Sequence, residues 1–518
     1  MTDRLNVAAA LLALSETSPD ATALRLRADR ERRDWSYRDL ARTVRRFAGA
    51  LSELGVVEEQ RVLIALPDCP ELVVAFLGAI WAGAVPVPVN PGLRAEDYAF
   101  LVADTRARLV IATSGTSDLL MEAIVSAASL PGAELWTVAP AGGGTFQDAI
   151  RAAAKADDAF PAHRDDAAFW LYSSGTTGRP KGTIHRQADI LHAVDAYSRH
   201  VLALGPRDVV YSTSRMFFAY GLGASLYFPL AAGACSVLSP EPFDALRSWR
   251  LLAEEQPTLL FAVPSVYRAL LDHTDARRDS LATVRLCLSA GEGLPESLFE
   301  QWQRRFGLEI VDGIGSTEAL HIYLSNRPGS CRPGAVGTPV PGYDVRIVDE
   351  NGRDAAPGEP GMMLVRGGSL AAGYWHRREA TERAFLGEWF VTGDQAMQTE
   401  DGAYRVVGRV DDMLKVSGQW VSPTDVEEAI RSVEGVVDCG VVGVPDAAGL
   451  TELVACVVAA GAGDLAALIH ARCAERLPRY KRPRRMVVVA SLPRTPTGKL
   501  QRFRLREMIQ REPRGEKS

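Results

Sequence analysis

Short apolar, β-branched runs alternate with stretches of helical periodicity over the first two thirds of the chain. Residues 61–66, 109–112, 134–138, 168–172, 209–212, 259–263 and 283–289 read as strands apolar on both faces, which predicts buried, mostly parallel sheets covered by helices. The run 72–89 holds 18 uncharged residues, enough to cross a bilayer. Gly78, Gly83, Pro86 and Pro88 interrupt it, so it predicts a buried helix to Trp81, a glycine stop and a buried strand 85–89. An apolar stretch follows Asp3 and Arg4 without a basic leader, which predicts an amphipathic first helix within residues 1–14 rather than a signal peptide.

From about Gly334 the pattern changes. Strands 344–348, 361–366 and 403–407 are separated by Gly- and Pro-rich turns, the mark of a small antiparallel subdomain. After Gly408-Arg409-Val410-Asp411-Asp412 it resets again. Helix 423–433, strands 436–444 and 454–459, helix 465–476 and strand 485–489 make an α+β unit of ordinary domain size. The expected fold class is therefore α/β: a large N-terminal domain, 1–409, with an antiparallel β subdomain, a hinge at 410–411 and a small α+β domain, 412–518.

With 518 residues the chain is too long for one ordinary domain, and 47% hydrophobic with 24% charged residues is a globular balance. A net charge of -6 gives no overall pull towards nucleic acid or anionic membrane, and neither is expected as a partner. From Pro478 onward, however, 13 Lys and Arg face 3 Asp and Glu, or +10, which leaves -16 for the rest. Such a tail is either a solvated face or a dock for a compact polyanion. The seven cysteines are scattered without a Cys-x-x-Cys pair, so neither a zinc site nor a disulfide framework is indicated and a cytoplasmic protein is expected.

Four segments carry chemistry. In the first, strand 168–172 runs into Ser173-Ser174-Gly175-Thr176-Thr177-Gly178-Arg179-Pro180-Lys181-Gly182. Glycines admit close approach of backbone N–H groups to an anion, hydroxyls add donors and Lys181 adds a charge, as phosphates require. Pro180 and Gly182 depart from a Walker A loop. The second, Asp312-Gly313-Ile314-Gly315-Ser316-Thr317-Glu318, reads as a tight glycine turn with hard oxygen ligands for Mg²⁺, or equally as a helix cap. The third, Trp389-Phe390-Val391-Thr392-Gly393-Asp394 before Gly408-Arg409, places an acid where it can accept ribose hydroxyls, or simply in a hairpin turn. The fourth, Pro493-Arg494-Thr495-Pro496-Thr497-Gly498-Lys499, sets one lysine on a stiffened turn; alone it is a surface lysine, and in a site it could stabilise charge on a transferring phosphate.

In this order and around this boundary, the four segments resemble the acyl-adenylate-forming ligase superfamily of acyl-CoA synthetases, luciferases and peptide-synthetase adenylation domains. The resemblance runs from Leu66-Pro67 to the terminal lysine loop. It is closest to the benzoate–CoA (aryl-CoA) ligase branch, through Met216-Phe217-Phe218-Ala219-Tyr220-Gly221-Leu222-Gly223 and Gly313-Ile314-Gly315-Ser316-Thr317-Glu318-Ala319-Leu320-His321-Ile322-Tyr323-Leu324-Ser325-Asn326. Ala319 stands where that branch more usually has methionine, and Thr176 where it has serine.

The resemblance implies an enzyme with ATP, Mg²⁺ and CoA as co-substrates, which joins an aryl carboxylate to AMP and then to a thiol. Its implied catalytic set is Lys181, Thr317, Glu318 (on Mg²⁺) and Lys499. Ser173, Ser174, Gly175, Thr176, Thr177 and Gly178 would hold phosphates; Gly291, Glu292, Gly293, Asp312 and Gly313 would flank adenine; Asp394 and Arg409 would bind ribose. The implied acid pocket comprises Phe218, Ala219, Tyr220, Gly291, Gly315, Leu320 and His321, although His321 and the Phe217-Phe218 pair also suit plain core packing. Rotation about Asp411 would withdraw Lys499 and bring in a CoA tunnel of Ser417, Gly418, Gln419 and Trp420, with Arg479, Lys481, Arg482, Arg484 and Arg485 towards the CoA phosphates. The alternative acceptor is the phosphopantetheine thiol of a carrier protein. A non-catalytic nucleotide regulator is disfavoured by the presence of all the implied catalytic side chains, and a homodimer is the family-level expectation.

Overall fold

The computed structural model describes residues 3–126, 133–139, 143–173, 179–274, 276–409, 412, 414–416, 419–446, 451–460, 465–494 and 500–511. The chain divides into two compact units, one of Met1–Val345 with Val365–Val391, the other of Arg346–Leu364 with Thr392–Ser518. The divisions fall within the strands Tyr343–Val348, Gly361–Gly367 and Trp389–Gln398, which belong to one five-stranded sheet.

The first unit is α/β, built on two largely parallel sheets. A nine-stranded sheet has a parallel centre of Ile310–Gly315, Leu286–Ser289, Leu259–Ala262, Val209–Ser212, Cys235–Leu238 and Thr22–Arg27. Antiparallel strands close both edges, Ile322–Ser325 with Thr338–Pro339 on one side and Arg32–Ser36 on the other. The second sheet is parallel, in the order Val85–Pro88, Arg61–Ala65, Ala107–Thr113, Glu134–Val138. Pro86 and Pro88 are tolerated because theirs is an edge strand. Helix Pro70–Trp81 starts with proline at its first turn and is buried on every side after Glu71, as its uninterrupted apolar sequence requires. Gly83, at φ 81°, then turns the chain into the strand. Among the described residues no helix is long and apolar enough to cross a membrane.

Three expectations about local structure need correction. The strand expected at 283–289 begins only at Leu286, because a 3₁₀ turn occupies Arg278–Leu281 and Val284 closes the following turn. Asp312–Gly315 is no turn but the end of the extended strand Ile310–Gly315. Asp394 likewise lies inside the strand Trp389–Gln398.

The second unit follows its sequence closely. Val436–Pro445 and Thr451–Ala459 pair antiparallel, and Arg485–Val488 joins parallel. Cys439, Val441, Leu453, Ala455 and Val457 face helices Pro423–Arg431 and Leu465–Arg476. The alternate residues Val442, Val444, Val454 and Cys456 meet Leu505 and Ile509 of helix Arg502–Arg511. A strand period of two thus buries both faces of the sheet.

Candidate active site

Strand Ala167–Ser173 pairs antiparallel with Lys181–Arg186, and the register sets Ser173 opposite Lys181. Residues 174–178 of the hydroxyl- and glycine-rich loop lie outside the described residues. On the other side of Lys181–Arg186 runs the two-residue strand Gly373–Tyr374. The Lys181 ammonium sits 4.1 Å from the centroid of the Tyr374 ring, and the Tyr374 hydroxyl donates to Glu318 Oε1 at 2.8 Å. Ser173 Oγ donates to the same oxygen at 3.2 Å. A cation, an aromatic ring and a buried carboxylate therefore form one connected group through Tyr374.

The second segment approaches this group from the nine-stranded sheet. Cβ atoms built on Gly313 and Gly315 would lie 2.7 Å from the Leu324 carbonyl and 2.3 Å from the His321 carbonyl. Glycine is needed there for close approach of the neighbouring strand, not for a turn. Burial pushes the Asp312 carboxyl up to about 7. Beyond Gly315, Ser316 Oγ accepts the Ala319 N–H at 3.1 Å in a turn that leads into strand Ile322–Ser325, not into a helix. Glu318 is 9% exposed and His321 2%.

His321 is enclosed by aromatic rings: Phe228 at 4.6 Å, Tyr197 at 5.3 Å and Tyr220 at 5.5 Å between centroids. Its Nε2–H donates to the Tyr220 carbonyl at 3.3 Å, and burial drives its pKa down to about 3, so the ring is neutral. Nδ1 of His321 and the hydroxyls of Tyr220 and Tyr227 are buried without a hydrogen-bond partner among the described residues. Phe217 and Phe218 meet edge to face at 4.6 Å, and Ala219 and Tyr220 open the short helix Ala219–Leu222. Leu320 is fully buried with φ 68°, a left-handed backbone that a bulky residue rarely adopts. Gly291 lies on an exposed turn at φ 88°, and the carboxylate of Glu292 is occupied by the backbone N–H and hydroxyl of Ser265, each at 3.1 Å.

In the second unit, Asp394 and Arg409 face each other across paired strands. Arg409 Nη1 donates to Asp394 Oδ1 at 3.0 Å and to the Thr392 carbonyl at 2.7 Å. Gly393 makes room: its Cβ would lie 2.9 Å from the Arg409 guanidinium, and its φ is 74°. Lys481 is tied to Asp425 at 2.6 Å, and Arg482 donates to the carbonyls of Ala474 and Leu477, capping a helix end. Arg479 opens the 3₁₀ turn Arg479–Lys481. Asp411, Ser417, Gly418 and Lys499 lie outside the described residues; of Gln419 and Trp420 only the backbone is described, in a hairpin with Leu414–Val416.

Comparison with known proteins agrees with this geometry. Residues 13–375 match the AMP-binding enzyme family and residues 425–499 the AMP-binding enzyme C-terminal domain. The chain belongs to the AMP-binding enzyme family. It is 40% identical to a benzoate–CoA ligase of Thauera aromatica, over 91% of this chain and 90% of that one. It is also 40% identical to an anthranilate–CoA ligase of Pseudomonas aeruginosa, over 86% and 87%. Among solved structures, a benzoate CoA ligase from Burkholderia xenovorans LB400 superposes with a TM-score of 0.88 at 40% identity, covering 96% of this chain and 99% of that chain. The anthranilate CoA ligase AuaEII in complex with anthranoyl-AMP superposes with a TM-score of 0.92 at 35% identity, covering 98% of both. Within the family, the chain is of the benzoate–CoA ligase branch.

AMP-binding enzymes work on a magnesium nucleotide, and the donor set fits that charge. Two donors converge on Glu318 Oε1, whereas no group of three potential metal-binding side chains exists among the described residues. One carboxylate suits Mg²⁺ that keeps waters and arrives on phosphates. Sequence reasoning missed Tyr374, which has no local pattern and lies 56 residues from Glu318. It also missed Asp68, whose Oδ1 accepts the Met216 N–H at 3.0 Å and so anchors the segment that leads to Tyr220. Burial raises the Asp68 carboxyl to about 6.

Proposed function

We propose that the chain is an ATP-dependent, AMP-forming aryl-CoA ligase acting on benzoate or a small substituted benzoate such as 2-aminobenzoate. A carboxylate oxygen of the acid attacks the α-phosphorus of MgATP, the bond to the bridging oxygen breaks and pyrophosphate leaves. The CoA thiol then loses its proton and attacks the aryl carbonyl; the C–O bond breaks and AMP leaves with that oxygen. The observation that carries this reading is a single turn, 318–321, with a polar end and an aromatic end. Glu318 is bound to Ser173 and Tyr374 beside Lys181, and His321 is wrapped by Tyr197, Tyr220 and Phe228.

On this reading Ser173, the 174–178 loop and Lys181 take the β- and γ-phosphates, and Glu318 holds Mg²⁺ with Thr317 beside it. The magnesium supplies charge neutralisation at the phosphates. Tyr374 fixes the Lys181 ammonium by its face, so little reorganisation accompanies pyrophosphate departure. Asp312, Gly313, Gly291 and Glu292 flank adenine, and the Asp394–Arg409 pair meets the ribose. Phe218, Ala219, Gly315, Leu320 and His321 enclose the ring of the acid. Lys499 serves the first step; Gly418 and its loop serve the second, after rotation of 412–518 about Asp411 against 1–409. The relatives named for benzoate and anthranilate ligation support both the acid and the acceptor.

Purified protein with ATP and Mg²⁺ is offered benzoate, the aminobenzoates, the hydroxybenzoates and a fatty acid, with and without CoA, and acyl-AMP and acyl-CoA are read by mass spectrometry. Acyl-CoA from one or two small aryl acids is the expected result. Aryl-AMP that never passes to CoA would point to a carrier protein, and no product from any aryl acid would refute the pocket.

A further inference from the structure

We infer that His185, oriented by Asp189, is a positioning residue for Thr317 and Glu318; the inference rests on the reading of Glu318 as the Mg²⁺-nucleotide ligand. His185 lies on the strand that begins with Lys181, is 0% exposed, and stacks on Phe169 at 5.1 Å between centroids. Its Nδ1 is 3.0 Å from Asp189 Oδ2 and its Nε2 is 2.8 Å from the Thr317 carbonyl oxygen. The Thr317 carbonyl only accepts, so Nε2–H donates to it, while Nδ1 faces the Asp189 carboxyl group. Asp189, also 0% exposed, accepts from the Arg186 N–H at 3.0 Å and Nε at 3.2 Å.

The turn that this pair holds is strained. Leu320 has φ 68°, and its N–H donates to the same Thr317 carbonyl at 3.1 Å. A bulky residue in that conformation persists only when its surroundings over-determine it. Three successive carbonyls are pinned from outside: Thr317 by His185 Nε2, Glu318 by the Ala371 N–H at 2.8 Å, and Ala319 by Ser369 Oγ at 2.7 Å. The peptide planes on either side of the Glu318 Cα are therefore fixed, and its carboxylate is aimed at Ser173 and Tyr374. Because His185 and Lys181 share a strand, the pair also ties the phosphate-side cation to the magnesium-side carboxylate. Packing alone would be better served by apolar residues, since taking an imidazole and a carboxylate out of water is costly.

His185→Phe keeps ring volume against Phe169 and removes both ring nitrogens. Assayed in the full chain by ATP–pyrophosphate exchange, it is expected to lose about 10- to 100-fold in kcat/KM for MgATP. Thioester formation from supplied benzoyl-AMP and CoA should change by no more than about twofold, which global loosening would not allow. In the background of Glu318→Gln, which itself must impair exchange, adding His185→Phe should cost no more than about a further twofold. A folded His185→Phe with exchange within twofold of the parent overturns the inference, as do losses that multiply in the double variant or a matching fall in thioester formation. Unimpaired exchange in Glu318→Gln alone would instead sink the reading on which it rests. If His185→Phe does not fold, Asp189→Asn is judged by the same three assays, with an expected loss of about three- to tenfold; failure of both to fold would make the pair structural and overturn the positioning role.

Discussion

Asp312 and His321 stand nine residues apart along one segment, and burial shifts them in opposite directions, the carboxyl up to about 7 and the imidazole down to about 3. Both shifts favour the neutral form, so each costs stability on its own side of the pH scale. For Asp312 the folded pKa lies above the unfolded one; stability falls as pH rises from about 4 to about 7 and is flat beyond. For His321 the folded pKa lies below; stability falls as pH drops from about 6.5 towards 3. Asp312→Asn should therefore raise the melting temperature by about 3 °C or more at pH 8 with little gain at pH 4, while His321→Phe should gain most at pH 4.5, as calorimetry across pH would show. At the same scale, Tyr374→Phe removes one hydrogen bond to a charged group, worth about 1.5–3 kcal/mol. It should lower pyrophosphate exchange about tenfold or more yet keep the ring under Lys181; exchange at the parental rate would remove Tyr374 from the site.

At the scale of the element, what could be read in advance follows from which side chains face inward. Strands such as Arg61–Ala65 and Val209–Ser212 run as expected because their apolar, β-branched residues fill a sheet buried on both faces. The strand Lys181–Arg186 went unforeseen because its fully buried positions are Thr183 and His185, not aliphatic residues. Gly313 and Gly315 read as a turn signal, and nothing local tells a turning glycine from one that admits a neighbouring strand. Ser173, Lys181 and Glu318 were legible from composition and order; Tyr374, Asp68 and His185 were not, because long-range pairing brings them in. Gly315→Ala would drive a Cβ to 2.3 Å from a backbone carbonyl that cannot swing away, whereas Gly293 has nothing within 4 Å. The first should cost about 1–3 kcal/mol and most of the adenylation activity; the second should leave the melting temperature unchanged.

At the scale of the whole molecule, the proposed function assigns the two half-reactions to different loops of residues 412–518. Lys499→Ala is expected to abolish aryl-AMP formation, by about 100-fold or more, and to spare thioester formation from supplied aryl-AMP. Replacement of Gly418 by tryptophan should do the reverse, by filling the passage for the pantetheine arm. Rapid-quench assays of each half-reaction distinguish the two; equal loss in both for either variant would refute its role. The membership and fold of the chain follow from its motifs and their order, while no motif reports the buried polar atoms of Tyr220, Tyr227 and His321 that lack a partner among the described residues.

The central claim is that the acid passes through a mixed anhydride with AMP before it reaches CoA. It is tested most directly with benzoate, or the best acid of the panel, labelled with oxygen-18 in its carboxylate, and mass spectrometry of the nucleotide released after one turnover with ATP, Mg²⁺ and CoA. Attack of the carboxylate on the α-phosphorus predicts AMP carrying one labelled oxygen, alongside unlabelled pyrophosphate. Unlabelled AMP, or ADP with a labelled phosphate, would contradict it.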